Sequence, residues 1–489
     1  MKTLIQGGYV VGYNGTEHII YENGCVVYEN EIIIFVGFTN DPKCPDYDAF
    51  IDATNSLISP GFINLHCIAN IDIQPIFLDT NNQIDRSKEW FNSNSYIMNR
   101  KDYDISARYT IASIIKGGAT TFCAVTSMAT KRYENSLYES ETLVNNANDL
   151  GIRGYFANNY QDISYYNLHN KKVFKHNKHL GDKAFEKAKK FSKGIINKNN
   201  DLINAFLFPY TTETCSNALL LDSYKVSKDL NIPIRTHFAQ YKAEVESSYK
   251  NHKLSPLNRL HKLNILDSNL TLTHAIYLNN NYKEHKISSV DLKYLYDSGT
   301  NICHCPVVYL RKGYGLNSFQ SVVNAGVNIG IGTDTVPPDI INEMRTTSLL
   351  SKIKDEDPTS GSATSVYNAA TLGGAKALNR NDLGRLSKGC RADIVIINIS
   401  NIRTGLVDDP IRSLVYYSNS KDIEKVIVNG KIILTNYKIT GIDEGDLFIK
   451  AQGVFNKLKS NIMLNSIDRI NKIYPEKESF EMVKNNYLD

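Results

Sequence analysis

Eight short apolar runs recur along the middle of this chain, and between most of them lies a stretch able to form a helix. The runs cover residues 57–66, 119–126, 152–157, 202–208, 232–238, 270–274, 300–305 and 327–332. Their lengths suit buried strands, whereas segments such as 106–116, 182–197, 217–230 and 289–297 suit helices. Strand–helix alternation favours a parallel sheet, and eight repeats favour a closed (β/α)8 TIM barrel, an α/β fold. Two β-rich pieces flank the barrel. Residues 1–56 hold CVVYENEIIIFVG, two runs joined at Glu29-Asn30. Residues 381–440 hold GRLSKGCRADIVIINI and KVIVNGKIILTN, where Asn429-Gly430 is a strong hairpin signal. Neither piece is expected to fold alone. The expected architecture is therefore a barrel over 57–380, a small β-sandwich built from 1–56 and 381–440, and a C-terminal helical tail over 441–489.

Composition narrows the partners. A formal charge of +4 over 489 residues leaves no strongly basic face for nucleic acid. The lysines of 171–198 are interleaved with Asn and His and suit a solvated helix or loop. No apolar run approaches the ~18–20 residues that span a bilayer. The N-terminus lacks the apolar core and cleavage site of a signal peptide. Eight cysteines are scattered without CxxC spacing, most of them inside apolar runs. Free buried thiols in a reducing cytoplasm is the expectation, with a small-molecule substrate and neither nucleic acid nor membrane as partner.

In such barrels chemistry gathers where strands end. The first run ends in His66, the fifth (PIRTHFAQ) in His237 and the sixth (LTLTHA) in His274. The seventh (NICHCP) ends in His304 and the eighth (IGIGTDT) in Asp334. Imidazoles and a carboxylate at one mouth form a ligand set suited to zinc or iron. Burying four such groups together is costly unless they share a role. Cys67, next to His66, is turned the other way by strand alternation and reads as a core thiol.

The segment SPGFINLHCIAN, the GGATT turn at 117–121, the His237 and His274 strands, HCP at 304–306 and GIGTD follow one another in order. AATLGGAKAL at 369–378 and LGRLSKGCRADIVI complete the series. Together these motifs resemble the amidohydrolase superfamily over nearly the whole chain, and within it the branch of aminohydrolases and chlorohydrolases acting on purines, pyrimidines and triazines. The resemblance implies that His66, His237 and Asp334 hold a metal ion. Asp334 would also take the proton of the attacking water, and His274 would polarise water or substrate. Absence of a Lys at the end of the fourth run, Phe208-Pro209, argues for one ion rather than two.

Three positions depart from the family pattern. Ile68 stands where the second His of an HxH pair is expected. Gln240 stands where deaminases of this branch carry Glu. Val307, Val308 and Tyr309 replace a polar pair after HCP. A glutamine is neutral and cannot serve as a general acid, although it can hydrogen-bond a substrate. Tyr309 and Arg311 are placed to face a planar or anionic substrate. His304 is a substrate contact or a polar structural group. Trp90, with Phe77 and Phe91, forms a substrate lid or the packing of a long loop. Asp72 could offer an oxygen from the first loop, a minor alternative.

The expectation is an amidohydrolase-like enzyme acting on a C–N bond of a small nitrogen-rich or heterocyclic substrate. Its mononuclear site is poor in ligands and holds one divalent ion, zinc or iron, or none. One alternative is metal-independent acid–base chemistry by Asp334, His274 and His237: an elimination, isomerisation or cyclisation. Another is a catalytically silent scaffold, against which the retained Asp334 stands. A homodimer is a possible assembly that only the resemblance implies.

Overall fold

The computed structural model describes residues 1–69, 71–73, 98–126, 137–168, 171–278, 287–316 and 318–465. Trp90, Phe77 and Phe91 lie outside the described residues, as does the tail beyond 465.

Eight parallel strands form the centre. They are β1 (Phe62–Ile68), β2 (Ala119–Val125), β3 (Arg153–Phe156), β4 (Ile203–Ala205), β5 (Ile234–Phe238), β6 (Leu270–His274), β7 (Asn301–His304) and β8 (Ile329–Ile331). β1 to β4 pair in sequence, as do β5 to β8. Backbone bridges join the two halves into a ring. Arg235 N donates to Leu207 O at 3.0 Å on one side, and Ile68 N donates to Asp334 O at 2.7 Å on the other. Helices between the strands cover the outside, so the expected (β/α)8 barrel is present. No described helix is long and apolar enough to cross a membrane.

The run 57–66, expected as one strand, is two. Residues up to Pro60 belong to the outer strand Ala49–Pro60, and β1 starts at Phe62. Gly61 makes the switch: a Cβ there would lie 1.9 Å from Thr120 Oγ1, so only glycine lets the chain pass. An apolar run reports burial, but not which sheet buries it.

Both chain ends build one nine-stranded sheet among the described residues. Ala49–Pro60 lies at its centre, parallel to Lys2–Tyr13 and antiparallel to Ile394–Asn398. The hairpin at Asn429-Gly430 forms as expected, with both residues at positive φ. A Cβ on Gly430 would meet Asn30 O at 1.7 Å, so the two hairpin tips touch. Beyond this sheet the helix Glu444–Asn465 lies along Arg100–Lys116. Lys116–Glu444 and Lys457–Asp102 ion pairs flank a small apolar seam of Met98, Tyr103, Ala451, Val454 and Leu458.

Candidate metal centre

His66, His237, His274 and Asp334 converge at the mouth of the barrel, each offering one ligand atom within 4.8 Å of the others. Local backbone geometry helps to aim them. Ala239, His274 and Asp334 all sit at positive φ (46°, 79° and 58°), so the chain turns sharply where β5, β6 and β8 end. Non-glycine residues held there are costly and cluster at functional sites. Glu244 secures the turn after β5. Its buried carboxylate accepts from Ala239 N at 2.9 Å, Gln240 N at 3.0 Å and Thr212 Oγ1 at 2.5 Å. Burial pushes that carboxyl up to about 7.

The ring nitrogens have defined roles. His237 Nδ1 donates to Tyr210 O at 2.8 Å, which leaves Nε2 as a lone pair facing His66 Nε2 at 3.3 Å. His66 Nε2 also lies 3.1 Å from Asp334 Oδ1. His274 is 1% exposed, yet neither of its ring nitrogens has a hydrogen-bond partner. Phe208 stacks on His66, and the His237 and His274 rings are parallel. Burial pushes the His237 imidazole down to about 3 and holds His66 and His274 well below the ordinary range. Three neutral imidazoles and one carboxylate, with the orphaned nitrogens of His274 among them, make an N3O donor set that fits a divalent ion.

Ile68 is half-buried and offers no donor side chain. Its backbone N–H instead fixes the Asp334 carbonyl. Beside it, Tyr241, Tyr277 and Tyr314 border the interior cluster that contains Tyr210 and Tyr309. Tyr309 OH donates to Gln240 Oε1 at 2.7 Å, and its ring meets the edge of His274 at 4.7 Å. Gln240 is thus held by Glu244 through its backbone and by Tyr309 through its side chain. Arg311 is half-buried and donates to Thr335 Oγ1 at 2.9 Å. Burial lowers its pKa, against the nearby charges of Asp334, Glu343 and Asp72.

His304 does not join this group. Cys303 and Cys305 face the barrel interior, so alternation turns His304 toward Phe319 of the outer helix Phe319–Asn324, with ring centroids 6.2 Å apart. Burial pushes it down to about 3. Asp72 is buried near Arg311, with its carboxyl pushed up to about 7 by burial, but is not one of the four converging groups. Cys67 is a buried thiol directed at Cys123 O, as alternation implied. Ser216 caps the helix Asn217–Leu230. Sequence reading missed Glu244, which lies on a helix after β5 with no local motif. It also missed Arg235, although two-residue spacing from His237 placed it on the same face.

Residues 57–433 match the Amidohydrolase family. The chain is 27% identical over 442 residues to a 5-methylthioadenosine/S-adenosylhomocysteine deaminase of Thermococcus kodakarensis, covering 89% of this chain and 94% of that protein. It is 25% identical over 426 residues to a 5'-deoxyadenosine deaminase of Methanosphaera stadtmanae, covering 85% and 91%. Among solved structures, a zinc-bound adenosine deaminase from Xanthomonas campestris superposes with a TM-score of 0.80 at 21% identity, covering 94% of this chain and 98% of that one. A zinc-complexed atrazine chlorohydrolase from Arthrobacter aurescens gives 0.77 at 19% identity, covering 93% and 100%. These last two likenesses establish the shared fold.

Proposed function

The chain belongs to the amidohydrolase family and is a hydrolase of C–N bonds; from that premise we propose that its substrate is a small heterocycle, cleaved with one divalent ion held by His66, His237 and Asp334. The observation that carries this reading is the convergence of four buried ligand atoms within 4.8 Å of one another. The deaminase relatives, named for purine nucleosides, support a purine-like substrate, as do the tyrosines at the mouth. A divalent ion in such a site acts as a Lewis acid and brings the pKa of water toward ~7.

The protein's own groups do the rest. Asp334 accepts the proton of the attacking water and returns it toward the leaving group, because Gln240 has no proton to give at ordinary pH. His274, with two free nitrogens, polarises the substrate at the reacting carbon. Gln240, fixed by Tyr309, orients the heterocycle through its amide. Arg311 and the tyrosine wall position the ring and keep water away from it.

Elemental analysis of protein purified without chelator tests the metal. About one ion per chain is expected in the wild type, and tighter retention in Ile68→His, which adds a third nitrogen to those of His66 and His237. Metal only in Ile68→His would sink the reading. A second reading rests on the 3.1 Å approach of His66 to Asp334, an acid–base pair that needs no ion. Activity that survives exhaustive chelation but disappears in Asp334→Asn would select it.

A further inference from the structure

Beneath the four converging groups the barrel interior contains a second polar site. In the pairing of β5 with β6, Arg235 stands opposite Thr271 and His237 opposite Thr273. Residues opposite one another on paired strands leave the sheet on the same side, and His237 points inward, so all four side chains share the interior. Arg235 is 1% exposed, and none of its three guanidinium nitrogens has a hydrogen-bond partner. The hydroxyls of Thr271 and Thr273, equally buried, have none either. Phe206 lies 5.4 Å from the guanidinium carbon, a cation–π contact that tempers the charge without cancelling it. The interior thiols Cys123 and Cys303 belong to the same cluster as Phe206. Burial pushes Cys123 up to about 11, against the pull of the Arg235 guanidinium beside its sulfur, so the neighbour of that cation is a neutral thiol and no counter-charge.

The guanidinium can only donate, and the two hydroxyls and two S–H groups beside it can each turn a hydrogen the same way. Strand carbonyls are engaged in the ladder. A buried cation without a counter-charge is costly, and a donor shell around it calls for an anion. We propose that the interior below the metal group binds a monoatomic inorganic anion of the halide class, held by Arg235 with the hydroxyls of Thr271 and Thr273. A monoatomic anion accepts from every direction and needs no oriented partner, which suits donors arriving from neighbouring strands. Its charge would also offset the arginine beneath the metal group, so that Arg235 does not oppose a dication above it.

Crystals of the full-length protein grown in sodium bromide test the site directly through anomalous scattering at the bromine edge. A bromide peak is expected within hydrogen-bond distance of the Arg235 guanidinium. In solution, chloride or bromide should raise Tm by about 2–5 °C over sodium gluconate at equal ionic strength. That gain should vanish in Arg235→Met and shrink in Thr273→Val. Absence of the bromide peak overturns the proposal. So does a halide-specific gain undiminished in Arg235→Met. A peak without any shift in solution marks binding at crystal concentration only and also overturns it. Should Arg235→Met fail to fold, Thr271→Val and Thr273→Val carry the solution test.

Discussion

Of the buried arginines among the described residues, Arg153 and Arg235 have completely different surroundings. Arg153, at the start of β3, is 0% exposed and satisfied on every side. Its Nε and Nη2 reach the two oxygens of Asp393 at 2.9 and 3.1 Å, and its Nη1 reaches Asp201 Oδ2 at 2.6 Å. Asp393 comes from the outer sheet and also accepts from Asn429 N at 2.8 Å. This end of the barrel is where the two pieces of the fold are locked together. Arg235, farther along the interior, has Phe206 and a neutral thiol beside it but no hydrogen-bond partner for its guanidinium nitrogens, and the His274 ring nitrogens above it have none either. The closed network holds the fold, whereas the open one has donors and lone pairs to spend on something else. Stability and function are thus divided along the barrel axis, as in other barrels of this type.

The sharpest way to break the comparison is to open the closed end. Asp393→Ala should cost about 3–5 kcal/mol in urea unfolding, because it leaves Arg153 buried with much of its charge unanswered. Turnover per folded molecule should hardly change. An equal loss of turnover would show that the two ends are not separate.

Glu244 gives a pH signature next in size. Its folded-state pKa is raised to about 7 from the ordinary 4.5, so the folded protein disfavours its charged form. The penalty is absent below pH 4.5, grows as pH rises through that window and is complete above 7. Stability should therefore fall by something on the order of 3 kcal/mol between those limits from this group alone. Glu244→Gln should flatten the fall in denaturation measured at pH 5 and 8.

In protein stripped of metal, Asp334→Asn should leave the unfolding free energy within about 1 kcal/mol of wild type, since buried charge is itself costly. The same variant should lower turnover by about 10²–10⁴-fold by removing the proton acceptor. The smallest effect belongs to the surface. Lys293 and Asp297 pair at 2.8 Å on one helix face with both side chains exposed, and Lys293→Ala should not shift Tm measurably.

Much of the candidate metal site was legible in the sequence because strand ends carry their own labels. His66, His237, His274 and Asp334 each close an apolar run, and the structure brings these four together. His304 has the same label but the opposite facing, and the flanking Cys303 and Cys305 were the clue to it. The split at Gly61 and the clamp by Glu244 were not legible, since each depends on contacts that no periodicity encodes. Gly61 is set by the hydroxyl of Thr120, and Glu244 reaches back from the next helix to hold two backbone amides. Arg235 stood in plain view in PIRTHFAQ. Only the empty hydrogen-bond ledger around it gives it meaning.

The central strand of the outer sheet has a consequence for how the protein is made. Ala49–Pro60 leaves the ribosome long before the strand that covers its other edge, which begins at Ile394 and pairs with Pro60. At ~5–20 residues per second that edge waits for tens of seconds with its backbone unpaired. Asp393, the counter-charge of Arg153, arrives with the same late strand. During synthesis, then, the barrel is complete in sequence but unlatched.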